Sequence, residues 1–155
     1  MRYVTRVLQP GERVVYVTKL HWLIYFRAIL LLTICIILAA ASWYLSDNQQ
    51  LRFAVGIAAI IFSLLGLWSG LHALIRRATT ELAVTDRRVI YKAGLLARHT
   101  LEMNRGKVES VTVDQTMLGR IFGYGTIIVR GTGSTLEPIP DITDPLTFRS
   151  HITTA

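Results

Sequence analysis

Two long uncharged runs dominate the first half of the chain. Residues 28–45 contain no Asp, Glu, Lys or Arg, and residues 53–75 form a second such run. At about 1.5 Å of helix per residue, the runs span roughly 27 Å and 35 Å, which is enough to cross the hydrocarbon core of a bilayer. A polar segment at 46–50 separates them. The pattern predicts a transmembrane hairpin within residues 22–77, with helices at about 28–45 and 53–75.

After Arg77 the pattern changes to short alternating runs separated by turn residues, which predicts a mainly β domain over residues 78–155. Strands are expected at 80–85, 88–93, 98–102, 108–115, 125–130 and 135–139. A helical turn at 116–122 would end at Gly123. Asp144 followed by Pro145 predicts an N-cap and a short helix at 146–151. In the N-terminal segment, residues 1–21, the β-like run at 14–17 is a candidate for an extra strand of the same sheet.

Two other interpretations of the apolar runs stay open. One is a buried helical pair in a soluble core, although uncharged runs of this length are atypical of soluble helices. The other is a signal peptide, because Ala39-Ala40-Ala41 resembles a small-residue cleavage site. Cleavage would leave the direction of the second helix unchanged, so the placement of the C-terminal half is the same in both cases.

Charge predicts the orientation. The net charge of +7 divides into +4 for residues 1–27, zero for 28–75 and +3 for 76–155. The positive-inside rule therefore places both termini in the cytoplasm. Much of the basic excess lies beside the apolar runs, where topology and anionic lipid account for it, so no nucleic-acid partner is expected.

Catalytic patterns are not found in the sequence. The four histidines lack metal-ligand spacing, and no phosphate-binding loop, nucleophile elbow or zinc-protease motif is present. Cys35 is the one cysteine and lies in the first apolar run, so no disulfide forms within one chain. The expectation is a protein without enzymatic activity, metal or cofactor.

A G-x-x-x-G motif, Gly66 to Gly70, lies in the second apolar run. Small residues at this spacing let two helices approach closely. The motif either packs against the first helix of the same hairpin or forms the seam of a homo-oligomer.

Several short motifs together carry a family resemblance. They are Gly11-Glu12 and His21-Trp22 before the first helix, ELAVTDRRVI from residue 81, Gly94-Leu95-Leu96, and LGRIFGYGT from residue 118. In this order they resemble the bacterial family of small membrane proteins with a pleckstrin-homology-like (PH) domain. The resemblance implies a multi-pass protein of the bacterial inner membrane. It also implies a bent antiparallel sheet or partly open barrel of about seven strands with a C-terminal helix, and it transfers no catalytic residue.

If successive strands run alternately away from and toward the membrane, two surfaces become candidates for binding. The expected membrane-surface contacts are Leu95, Leu96, Arg98, Arg120 and Phe122, since apolar tips ringed by cations suit a headgroup interface. The expected distal binding face consists of Arg87, Arg88, Arg105 and Lys107. The alternatives are that the first set closes the core and that the second is a solvated charged surface.

The leading functional hypothesis is a membrane-anchored PH-like binding or scaffold module that recruits a partner or self-assembles at the inner membrane. The partners would be membrane lipids, a cytoplasmic or membrane protein, or further copies of the chain. A lipid-sensing or lipid-organising protein is one alternative. An accessory subunit of a transport or export complex is another, because two helices with few buried polar groups do not build a pore from a single copy.

Overall fold

The computed structural model describes residues 3–44, 48–95, 99–132, 134–135 and 138–154. The chain forms two compact units. The β unit contains Met1–His21 and Arg76–Ala155, and the helical unit contains Trp22–Ile75. The segment before the first apolar helix therefore folds with the C-terminal half of the chain.

Two four-stranded antiparallel sheets form the β unit. The first sheet has the order β1-β2-β3-β4, with β1 Val14–Thr18, β2 Glu81–Thr85, β3 Arg88–Ala93 and β4 His99–Asn104. In the second sheet β5 and β8 flank β6, and the short β7 also pairs with β6; the bounds are β5 Val108–Asp114, β6 Tyr124–Gly131, β7 Ser134–Thr135 and β8 Ile139–Thr143. Thus the chain before the apolar hairpin supplies the edge strand of a sheet whose other strands follow it.

The two sheets meet over one apolar core. Leu82, Val84 and Val89 of the first sheet and Ile127 and Val129 of the second all lie in it and are nearly inaccessible to solvent. The C-terminal helix, Pro145–Thr153, adds Phe148 and Ile152 to the same core. At one edge, Leu20 forms an isolated bridge with Ile142, which connects the two sheets. The prediction of a mainly β domain with a C-terminal helix is confirmed.

The other face of the first sheet is covered by the N-terminal segment. A one-turn helix, α1 (Val4–Val7), packs Val4 against Ala83 and Ile90. The backbone N–H of Val4 donates to the Glu81 carboxylate at 3.1 Å. Burial opposes ionisation of Glu81, but the N–H donors of Val4 and Tyr3 together with nearby positive charges outweigh it and lower the pKa of this carboxyl. Because both faces of β2 are covered, its residues are buried without alternation.

The last strand was wrongly predicted at 135–139. It covers Ile139–Thr143 instead, and residues 136–137 lie outside the described part of the chain. Pro140 and Asp141 are residues typical of turns, but here they form an irregularity within the strand, between the pairs Gly125–Ile142 and Ile127–Ile139. The strand continues across this irregularity, and both Ile139 and Ile142 are buried in the core.

The C-terminal helix begins where the sequence predicted. However, Asp144 makes no side-chain capping hydrogen bond, and its φ of 47° lies in the left-handed region. Its backbone N–H instead donates to Gly123 O at 2.9 Å.

Two long helices make up the helical unit. They are α2, Phe26–Tyr44, and α3, Gln49–Thr79, and a 3₁₀ turn, Trp22–Tyr25, precedes α2. By length and composition both are able to cross a membrane, and just 6% and 11% of their most apolar windows are buried within the protein. The segment that connects them at 45–47 lies outside the described residues.

Candidate functional sites at the two ends of the β unit

Strand register defines two ends of the β unit. The end where the chain passes into and out of the helical unit, at residues 19–21 and 76–80, is called the junction end. Glu81 at the start of β2 pairs with Lys92, so the turn after β3 lies at the junction end. The opposite end carries the β2–β3 turn at 86–87 and is called the distal end. The N–H of Arg105 donates to Arg87 O at 2.9 Å, which brings the β4–β5 turn to the distal end as well.

Arg88 does not offer its charge to solvent at the distal end. Its guanidinium donates to the Glu12 carboxylate at 2.9 Å through Nε and at 2.8 Å through Nη2. Nη2 also donates to Val7 O at 2.8 Å, and Nη1 pairs with Glu102. Just 11% of the Arg88 side chain is exposed, and the Glu12 side chain is fully buried. Arg88 therefore holds the N-terminal segment on the sheet.

Glu12 is the acceptor at the centre of this network. Besides Arg88, the Thr85 hydroxyl donates to it at 2.7 Å and the Gln9 N–H donates at 2.8 Å. The hydrogen bonds from Arg88 outweigh the effect of burial and lower the pKa of Glu12 from 4.5 to about 2. Two of the motifs that carry the family resemblance, Gly11-Glu12 and the stretch from 81 to 90, thus meet in one buried ion pair.

Arg105 is also engaged within the unit. Its guanidinium donates to His151 O at 2.9 Å and to Ile152 O at 3.2 Å, and it also bonds to Thr154 O. These carbonyls belong to the end of the C-terminal helix, where the last backbone acceptors lack helical partners. A cation there also complements the helix dipole. Arg105 therefore caps this helix.

The remaining members of the expected distal face, Arg87 and Lys107, are exposed. A further cation that the sequence did not single out, Arg13, joins them. Its N–H donates to the Asp86 carboxylate at 3.1 Å, and the Asp86 N–H donates back to Arg13 O at 3.0 Å. Arg13 lies directly before β1, which pairs with β2. The β-like run at 14–17 was therefore the sequence signal from which the position of Arg13 could have been inferred. Arg13, Arg87 and Lys107 are called the distal cations below.

At the junction end, Asp141 contacts both segments that lead to the helical unit, through His21 before the first apolar segment and Arg76 after the second apolar run. The His21 N–H donates to Asp141 O at 2.6 Å, and the Asp141 carboxylate lies 3.5 Å from the Arg76 guanidinium. The His21 ring stacks on Tyr124, with ring centroids 5.5 Å apart. Tyr124 opens β6, directly after the helix described next. His21, the last residue before the first apolar segment, therefore contacts the start of β6, two residues after this helix ends.

A six-residue helix, Met117–Phe122, connects β5 to β6. It is called the apolar tip helix. The Thr116 hydroxyl accepts from the Gly119 N–H at 3.0 Å and caps its start, and Gly123 ends it with a φ of 72°. A Cβ on Gly119 would lie 2.7 Å from Tyr124 O, so this helix turns its glycine toward the sheet. Sequence analysis predicted this element correctly, but not which side faces inward.

Of the expected membrane-surface contacts, Leu95, Arg120 and Phe122 are exposed at the junction end, whereas Leu96 and Arg98 lie outside the described residues. Among the described residues, the exposed apolar side chains there include Leu95, Met117, Leu118, Ile121 and Phe122.

In the helical unit, the glycine motif lies against α2. A Cβ on Gly66 would come within 2.9 Å of the Leu32 side chain, and one on Gly70 would lie 3.5 Å from Ala28 Cβ. These contacts correspond to packing inside the hairpin, the first of the two interpretations above.

Within the described ranges, no group of three or more His, Cys, Asp or Glu side chains is placed to hold a metal ion. Glu12, Glu81 and Arg88, whose pKa values are shifted, are each bound to partners within the β unit.

Comparison with known families agrees with this geometry. The family model described as "Bacterial PH domain" matches residues 13–154. Searches of curated proteins and of solved structures gave no match. The match spans all strands of the β unit, its C-terminal helix and the apolar hairpin, and it confirms the resemblance carried by the short motifs. The chain belongs to the bacterial PH domain family.

Proposed function

We propose that the protein is a membrane-anchored PH-domain module that recruits an acidic protein partner to the cytoplasmic face of the bacterial inner membrane. PH domains are generally non-catalytic binding modules, so binding is the function that the family supports. The two long apolar helices support the anchor, because their apolar side chains find little cover within the protein. The basic residues beside them favour a cytoplasmic placement of both termini.

The observation that supports the recruiting role is that the basic residues at the distal end fall into two groups, one bound to internal acceptors and one exposed to solvent. Arg88 and Arg105 are held by internal acceptors, and the distal cations Arg13, Arg87 and Lys107 point outward around them. A group of exposed cations suits an acidic surface, because complementary charge speeds association and disfavours partners of the wrong charge. Asp86 is the one acid in the turn at 86–87, and its side chain is turned to the Arg13 backbone.

A photocrosslinking experiment in cells tests the recruiting role. A photoreactive residue replaces Thr132, which is exposed, and the Thr132 N–H donates to Lys107 O at 3.0 Å, so the probe stands beside the distal cations. We expect a defined adduct that is lost when Arg87→Glu and Lys107→Glu are introduced together. A matched control reverses two exposed arginines elsewhere on the unit, Arg6 and Arg149, and should keep the adduct.

The mass of the adduct separates the remaining possibilities. An adduct with twice the mass of the chain means that the distal end binds a second copy, which is the self-assembly form of the proposal. Equal adducts in the charge-reversed variant and in the control contradict recruitment through the distal cations. Release of the protein from membranes by alkaline carbonate would contradict the anchor.

A further inference from the structure

The apolar tip helix has its faces reversed relative to a helix that serves a soluble core. A surface helix normally buries its apolar stripe and exposes its polar one. Here Gly119 is the buried position of the helix. The large apolar side chains point outward: Met117 is 86% exposed, Leu118 58%, Ile121 75% and Phe122 48%.

Helical spacing makes these side chains one continuous surface. Met117 and Ile121 are four residues apart, as are Leu118 and Phe122, and side chains at this spacing lie one above the other. Arg120 is exposed beside them. Four neighbouring apolar side chains and a cation on a single six-residue element are more than the scattered exposed residues of an ordinary surface.

The position of the helix within the β unit indicates what covers this surface. Tyr124, two residues beyond the helix, stacks on His21, and the N–H of Thr143, which pairs with Tyr124, donates to Lys19 O at 3.1 Å. His21 is the residue directly before the 3₁₀ turn that opens the first apolar segment. The apolar tip helix is therefore fixed to the end of the β unit where the chain enters its apolar helices.

The positive charges at the junction end are also compatible with an anionic lipid surface. Lys19 is exposed, and Arg76 and Arg77 follow directly after the second apolar run. Apolar side chains surrounded by cations are suited to the boundary between anionic headgroups and acyl chains.

We propose that the apolar tip helix, Met117–Phe122, inserts its apolar side chains into the headgroup region of the membrane that holds the helical unit. The occupant is a lipid surface. The inference rests on the proposed anchoring of the two helices. The apolar tip helix then adds a third contact with the lipid to those of the two apolar helices.

Depth-dependent fluorescence quenching tests the insertion in the full chain. Cys35→Ala removes the native cysteine. Single cysteines are then placed at Ile121, at Lys107 on the distal end, and at Leu64 in the middle of α3, and each is labelled with an environment-sensitive dye. The proteins are reconstituted in vesicles of phosphatidylethanolamine and phosphatidylglycerol. Nitroxide lipids quench from the headgroup depth or from the acyl-chain ends, and iodide quenches from water.

We expect the Ile121 dye to be quenched several-fold more by the headgroup-depth nitroxide than the Lys107 dye. The Leu64 dye should respond most to the deep nitroxide. A second label at Met117, which is 86% exposed, repeats the test at a site whose side chain is largely open to solvent.

Two results would overturn the insertion while leaving the anchor intact, as judged by deep quenching at Leu64. In one, iodide quenches the Ile121 and Lys107 dyes equally, which means that the helix lies in water. In the other, neither iodide nor nitroxide reaches Ile121, which means that a protein surface covers it. Loss of deep quenching at Leu64 would instead overturn the anchor itself and the insertion with it.

Discussion

At the distal end of the PH domain Arg88 is a cation turned inward, whereas at the junction end Ile121 is an apolar side chain turned outward. Arg88 has three acceptors, two on the N-terminal segment and one on β4, and little exposure. Ile121 is 75% exposed, and its helix buries a glycine instead. The contrast teaches that residue type alone does not identify a binding surface: an arginine with internal partners stabilises the fold, and an apolar side chain without them is available to a ligand.

The largest expected effect comes from Arg88→Ala. Removing this guanidinium leaves the Glu12 carboxylate buried without its cation, which costs about 3–5 kcal/mol of unfolding free energy. Arg87→Ala is the matched control, because Arg87 is exposed in the same turn, and it should change the free energy by less than about 0.5 kcal/mol. Urea unfolding of the full chain in mild detergent, followed by circular dichroism, measures both. Similar losses in the two variants would show that the two arginines do not differ in role.

Acid should weaken the same contact. The pKa of Glu12 is about 2 in the folded protein against an ordinary value of 4.5, so its ionised form stabilises the fold above pH 4.5. This contribution is lost as pH falls from 4.5 through about 2.

Glu12→Gln should be less stable than the native chain at neutral pH and should show a flatter stability profile over that window. The pKa of Glu81 is also lowered, so a smaller slope of the same sign should persist in the variant. Unfolding free energy measured at a series of pH values checks this. An unchanged slope in Glu12→Gln would assign the acid sensitivity to other carboxyl groups.

Arg105→Met should have an intermediate effect. The substitution keeps much of the aliphatic length but removes the donors to the last carbonyls of the C-terminal helix, at a cost of about 1–3 kcal/mol. Lys107→Met, two residues away and exposed, should cost less than about 0.5 kcal/mol. Hydrogen exchange of amides in Pro145–Thr153 would locate the loss. Exchange that rises equally in both variants would contradict the capping role.

The smallest effect on folding is expected at the junction end. Ile121→Ser should change the unfolding free energy by less than about 0.5 kcal/mol, because the side chain is largely exposed. Gly119→Ala, on the inner side of the same helix, places a Cβ 2.7 Å from Tyr124 O and should cost about 1–3 kcal/mol. Urea unfolding in detergent compares the two. A larger loss for Ile121→Ser would mean that its side chain closes the core.

Local patterns made several elements predictable. Uncharged runs longer than a soluble helix needs predicted α2 and α3, although α2 begins at Phe26 rather than at 28 and α3 continues to Thr79. Alternation and turn residues predicted most of the strands, and Thr116 with Gly123 framed the apolar tip helix. The strand at Ile139–Thr143 was misplaced because Pro140 and Asp141 are residues typical of turns, and its pairing with β6 depends on a segment that is not adjacent in the sequence.

The sequence by itself determined the apolar hairpin, the mainly β domain and the family, because each follows from composition, periodicity or short motifs. Only the tertiary structure decided which charges remain exposed. Glu12 and Arg88 are 76 residues apart, and the apolar helices lie between them, so no local pattern records their pairing. The orientation of the apolar tip helix was decided in the same way, since one glycine fits against a backbone carbonyl where a larger residue does not. Both follow from close packing, which is specified by contacts between distant segments.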